Sequence, residues 1–169
     1  MVEIRIDYEG QLHCSAKHMP SLTMIETDAP IDNNGRGESY SPTDLIATAL
    51  GTCMATVMGI AGRNKGVELM GMRVVVGKEM SEELPRKIAK VLVEVYMPIP
   101  EDHPERRILQ SAALSCPVQY SIHPDIEVPI QWHWQEAGAQ RVEPASSPEN
   151  AIPVINQSQI IRTSGNGLS

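Results

Sequence analysis

Phenylalanine is absent from the 169 residues, and two tryptophans and four tyrosines make up the whole aromatic complement. Nine methionines, with valine, isoleucine and leucine, must therefore fill the interior, and methionine packs adaptably without naming a ligand. Cysteine is scarce too. Three cysteines (Cys14, Cys53 and Cys116) are an odd, small set. That argues against a secreted disulfide framework and for a reducing, cytoplasmic setting in which thiols are either packed or reactive. Basic residues are outnumbered, 14 against 21 acidic ones, for a net charge of −7. They do not cluster with aromatics, so a phosphate backbone is repelled and nucleic-acid binding is set aside. The start, MVEIRIDYEG, lacks the apolar run of a secretory leader. The longest apolar stretch, 45–61, is interrupted by Thr48, Thr52 and Gly59, which argues against a membrane span. Also missing are a Cys-x-x-Cys turn, a phosphate-binding glycine motif and a Gly-x-Ser-x-Gly nucleophile turn. The five histidines (His13, His18, His103, His123, His133) have no ligand spacing on a helix face or beside a cysteine. No metal and no other cofactor is expected.

What is present reads as one domain over 1–136, long enough to bury a core, followed by a Pro-, Ser- and Asn-rich tail over 137–169 that is expected to be mobile. Val2, Ile4 and Ile6 alternate with Glu3, Arg5 and Asp7, and after Glu9-Gly10 a second strand carries Leu12, Cys14 and Ala16, so a β-hairpin is expected. A third strand is expected over 22–26, then an exposed turn-rich loop over 28–40. Ser41-Pro42-Thr43-Asp44 is a helix start, with Ser as N-cap, Pro at the first helical position and an acid facing the helix dipole. The helix predicted from there to about Arg63 is apolar nearly all round, which implies burial in a core or between subunits. Segments 70–78 and 86–95 predict a long hairpin. A second helix is predicted to approach Cys116, and 126–134 alternates as a final strand.

Cys53 and Cys116 sit in these two helical segments, sixty-three positions apart, so any joint chemistry must be assembled by the fold. A thiolate that meets peroxide becomes a sulfenic acid, which a second thiol condenses to a disulfide. Cys53 lies roughly 18 Å along its helix from the N-terminal dipole, at about 1.5 Å per residue, so activation would need a cation from elsewhere. Lys17, His18, Arg36 and Arg63 are the nearest candidates in sequence. Residue type alone favours inert packing for a free cysteine on an apolar helix, and Cys14 has no motif around it. The acids Glu79, Glu82 and Glu83 read as a solvated hairpin tip.

The run Ser41-Pro42-Thr43-Asp44-Leu45-Ile46-Ala47-Thr48-Ala49-Leu50-Gly51-Thr52-Cys53, with Ser115-Cys116-Pro117-Val118 further on, resembles the OsmC/Ohr family of osmotically inducible and organic hydroperoxide resistance proteins. The resemblance covers Val2 to about Gln135. It implies an α+β fold with two curved antiparallel sheets around a buried central helix, in an intertwined homodimer with sites at the interface. It also implies thiol peroxidase activity toward small organic hydroperoxides, with Cys53 attacking, Cys116 resolving and an external thiol as reductant. The family's best peroxidases carry an activating Arg on the N-terminal strands and an orienting Glu at the start of the central helix. Here no Arg falls between Arg5 and Arg36, and Thr43 holds the Glu position with Asp44 beside it. Arg36 and Asp44 are the remaining candidates for activation, and the departure points to an OsmC-like branch. Leu50, Met54 and Met58 are expected to line an apolar substrate pocket. The alternative is a non-catalytic stress or ligand-binding dimer whose cysteines are structural.

Overall fold

Alternating residues at the N-terminus form strand β1 (Ile4–Gly10), which pairs antiparallel with β2 (His13–His18), and β2 pairs in turn with β3 (Met24–Asp28). This is a computed structural model; it describes residues 1–136, and the expected tail lies outside the described residues. Directly paired residues share a sheet face. Ile4, Ile6 and Tyr8 therefore stand with Cys14, Ala16 and Ile25 on one face, while Arg5, Asp7, Lys17 and Glu26 stand on the other. The apolar face is open: Ile6 and Tyr8 each keep 67% of their surface exposed. Leu12 and Leu22 adopt the left-handed backbone of turns, and for that reason the second and third strands start later than alternation alone suggests.

The loop after β3 holds a 3-10 turn, Ile31–Asn33, and leads into the central helix α1 (Pro42–Lys65). Ser41 and Asp44 close a reciprocal capping box at its start, with Pro42 at the first position. Gly66, in the left-handed conformation, ends it, with the Val67 N–H donating to the Gly62 carbonyl. One face of α1 carries Ala47, Leu50, Gly51, Met54, Met58 and Gly62 into the core. Within the single chain the burial of α1 is one-sided: Ile46, Thr52, Thr56 and Ile60 are exposed. The Thr52 hydroxyl donates to the Thr48 carbonyl at 2.8 Å and that of Thr56 to the Thr52 carbonyl at 2.8 Å, so this outer face presents methyl groups rather than free donors. By length and apolar content α1 would also meet the criterion for a membrane span, a test that core helices pass equally.

The second sheet is built from β4 (Arg73–Met80), β5 (Ile88–Met97) and β6 (Ile130–Trp134), in that spatial order. Val91, Val93, Val95 and Met97 alternate inward along β5 against the core face of α1. β4 and β5 are antiparallel, but β6 runs parallel to β5, so the expectation of two wholly antiparallel sheets is corrected. The cause is the connection. After β5 the chain crosses over through helices α2 (Arg106–Leu114) and α3 (Pro117–Ser121) and re-enters the sheet pointing the same way, as a parallel pair requires. α2 and α3 both lie against α1, with Leu109 and Ala113 of α2 fully buried.

Candidate functional site

The crossover sets the position of the second thiol. Pro117 has no N–H to continue the ladder of α2 and forces the residue before it into extended backbone. Cys116 has φ −61° and ψ 130° and becomes the N-cap of α3, with its own N–H still donating to the Ala113 carbonyl of α2 at 3.2 Å. It therefore sits at a break between two helices, at the boundary that Pro117 marks in the sequence. Cys53 is in mid-helix on α1, half-buried, on the flank that meets α2 and α3.

Both thiols are free, and Cys53 is among the neighbours that act on the Cys116 thiol. Cys116 has no accessible surface. Burial pushes its thiol above the ordinary cysteine range, and the neighbouring Cys53 adds to this. The backbone N–H groups of Gln119 and Val118 pull the other way without cancelling the rise. No cation is among the groups that act on Cys116. Sequence reasoning did not single out Gln119, which is the third residue after Cys116; its Oε1 is a buried acceptor without a protein donor.

The two candidate activators are engaged elsewhere in the chain. Asp44 Oδ2 accepts from the Ser41 backbone N–H at 2.8 Å and from the Ser41 hydroxyl at 2.7 Å, while Oδ1 meets Lys78 Nζ at 2.7 Å. Lys78 also donates to Thr43 Oγ1 at 2.7 Å. Burial alone would raise the Asp44 carboxyl, but the Lys78 and Ser41 hydrogen bonds outweigh it and hold it below the usual carboxylate range. Lys78 was also missed; its only signal was a cation placed directly after the apolar run Val74-Val75-Val76-Gly77. Arg36 is exposed on the loop before α1, with Nη1 3.5 Å from Glu38 Oε2. Its charge acts on the buried Asp28, whose carboxyl is held low chiefly by the Glu38 backbone N–H.

Leu50, Met54 and Met58 have no accessible surface, so within one chain they belong to the core and border no open pocket. The helix pattern could not show this, because the residues face β4 and β5. An open groove of about 270 Å³ runs instead along Thr48, Gly51, Thr52 and Ala55 of α1 against Val74 and Val76 of β4. At about 100° per residue, Cys53 lies roughly 140° round the helix from the middle of that row. The groove and the thiol pair occupy opposite flanks of α1.

The model of the family described as OsmC-like protein matches residues 35–131. A crystal structure from Psychrobacter arcticus 273-4, a proposed osmotic stress induced and detoxification response protein, is 40% identical, with a TM-score of 0.74 over 79% of this chain and 96% of that one. The organic hydroperoxide resistance protein OsmC from Legionella pneumophila shares the fold at 14% identity and TM-score 0.65, over 79% of this chain and 96% of its own. An organic hydroperoxide resistance protein from Elizabethkingia anophelis does so at 14% identity and TM-score 0.63, over 80% and 96%. Among curated proteins none matches the chain.

Proposed function

The chain belongs to the OsmC-like protein family, and from that premise we propose that it is a thiol-dependent peroxidase that reduces organic hydroperoxides. The observation that carries the reading is the meeting of Cys53, half-buried, with Cys116, fully buried, across sixty-three positions of sequence. In the proposed cycle the Cys53 thiolate attacks the outer oxygen of the hydroperoxide. The O–O bond breaks, and the alkoxide takes a proton and leaves as the alcohol. Cys116 then attacks the sulfenic sulfur of Cys53, water leaves, and a disulfide remains for an external thiol to reduce. The fold neighbours that carry organic hydroperoxide resistance names support this chemistry.

Two features support a homodimer as the working form: the open apolar face of β1–β2–β3 and the outer face of α1, with its self-bonded threonines. Leu50, Met54 and Met58 would then shape a substrate site only through the core behind Cys53. Arg36 or Asp44 would need to act across the interface, since neither contacts a thiol within its own chain.

The test is the intact mass of the reduced protein before and after one equivalent of cumene hydroperoxide, with peptide mapping. Loss of two hydrogens mapping to a Cys53–Cys116 link is expected. Cys53→Ser should end turnover, and Cys116→Ser should leave sulfenic acid on Cys53 and stop recycling. Full turnover in Cys53→Ser would sink the mechanism.

A second reading, a stress-associated dimer that holds a small ligand over structural cysteines, is favoured by one observation: Cys116 is fully buried and the groups acting on it include no cation. Unchanged mass after peroxide, with a ligand retained in native mass spectrometry, would select it.

A further inference from the structure

We infer that the N-terminal sheet is a hinged arm and that the ion pair between Asp32 and Arg86 is the latch that sets its angle on the rest of the chain, ready for a second copy. The readiness rests on the dimer reading above; the hinge and the latch stand apart from it. β1, β2 and β3 pack chiefly on one another rather than on α1 or the second sheet. Among the described residues the apolar core and the side chains packed against it begin at Ala47, so the arm adds nothing to that core. A small sheet with one apolar face does not hold its place without something to pack on. Its direction must therefore come from the chain at its base.

The loop after β3 travels with the arm. The Glu38 N–H donates to Asp28 Oδ2 at 3.1 Å, the Ser39 hydroxyl to the Glu26 carbonyl at 2.8 Å and the Gly37 N–H to the Ala29 carbonyl at 3.3 Å. Gly35 lies so close to Ala29 that a Cβ there would fall 1.6 Å from the Ala29 carbonyl oxygen. Tyr40 still bridges to Thr27, whereas Ser41 already belongs to the capping box of α1, so the turn from arm to body falls at the Tyr40–Ser41 step. Asp32, in the 3-10 turn of this braced loop, reaches across that step. Its Oδ2 accepts from Arg86 Nη2 at 2.5 Å, and Arg86 stands at the tip of the β4–β5 hairpin. The other ion pairs of the arm, Arg5 with Glu3, His13 with Glu9 and Arg36 with Glu38, stay within it. Arg36 is carried on the same loop, so the latch also governs where that cation is delivered.

Both partners are partly exposed, 38% for Arg86 and 65% for Asp32, so the pair biases the angle and salt screens it. When a fraction of free chains holds the docking angle, affinity for a second copy scales with that fraction once for each arm, hence with its square. An exposed pair changes such a fraction by roughly 1.4- to 5-fold, and two arms together change the dimer constant by roughly 2- to 30-fold.

The test compares full-length wild type with Asp32→Asn, Arg86→Gln and the reversed pair, Asp32→Arg with Arg86→Asp, by sedimentation velocity over a dilution series. The two single changes move net charge in opposite directions, so a loss shared by both cannot come from general repulsion. Each is expected to weaken the dimer by at least about twofold, and the reversed pair to return to within that margin of wild type. Added salt is expected to weaken wild type toward the single variants. Single variants that match wild type, or a reversed pair as weak as they are, would overturn the latch. Should wild type stay monomeric, the dimer reading fails, and residual dipolar couplings on the monomer decide the latch alone. One alignment shared by residues 4–28 and 42–134 in wild type, splitting into two in Asp32→Asn, is expected. Two alignments already in wild type, or one in both proteins, would overturn it.

Discussion

Gly51 and Gly62 set how closely α1 can lie on its neighbours. A Cβ on Gly51 would stand 2.9 Å from Val76 Cγ1, and one on Gly62 would stand 2.9 Å from both the Val67 carbonyl oxygen and Leu69 Cδ1. Alanine would gain about 1 kcal/mol of helix propensity over glycine. Overpacking against a stiff valine or a backbone oxygen costs roughly 1–3 kcal/mol, so each Gly→Ala change should lower stability by about 1 kcal/mol net. Urea unfolding checks this, and a stabilised Gly62→Ala would refute the packing argument. The same scale separates the two thiols: identical in chemistry, they differ in exposure and in backbone setting, mid-helix for Cys53 and N-cap for Cys116, and their proposed roles follow from that difference.

The start of α1 is a polar device built by an element far away in sequence. Ser41→Ala removes the N-cap acceptor and should cost about 1 kcal/mol. The Asp44 carboxyl titrates lower in the folded chain than unfolded, where about 3.9 is usual. Its contribution is therefore complete above that unfolded value and is lost as pH falls through the lower folded one. Because the side chain is 41% exposed, the effect is modest. Lys78→Met removes the main hydrogen bond holding Asp44 low, so the variant should be less stable near neutrality and lose less on acidification. Thermal midpoints from about pH 7 down to about pH 3 would show parallel curves if Lys78 played no such part. The outer face of the second sheet has its own cross-strand unit. Tyr96 stacks on His133 with ring centres 4.4 Å apart, and Arg73 lies 4.4 Å over the Tyr96 ring, tying β6 to β5 and β4.

For the whole molecule, the open apolar face of the first sheet is the feature that a single chain leaves unsatisfied. If a second copy covers it, light scattering should give a dimer, and Ile6→Asp, which places a charge in that face, should shift the protein to monomer while leaving the α1 core intact. A wild-type monomer with the same hydrodynamic radius as Ile6→Asp would remove the dimer from the proposal. Loss of peroxidase activity in the dissociated variant, with Cys53 still alkylatable, would place a required group on the partner.

Local chemistry written along the chain determined the elements. Alternation marked β1 and β5, Ser-Pro-Thr-Asp marked the start of α1, and Pro117 after Cys116 already carried the break between α2 and α3. These are short-range effects of side-chain period, capping and proline sterics, and they act whatever surrounds them. Only the tertiary structure decided the rest. The parallel return of β6 depends on the path of the crossover, and the burial of Leu50, Met54 and Met58 depends on which face of an almost uniformly apolar helix meets the sheet. The Lys78–Asp44 pair and the meeting of Cys53 with Cys116 join residues whose separation in sequence sets no distance in space. The resemblance in sequence named the thiol pair, and packing of α2 and α3 on α1 brings it together, because contacts between distant segments arise from the burial of whole faces rather than from residue spacing.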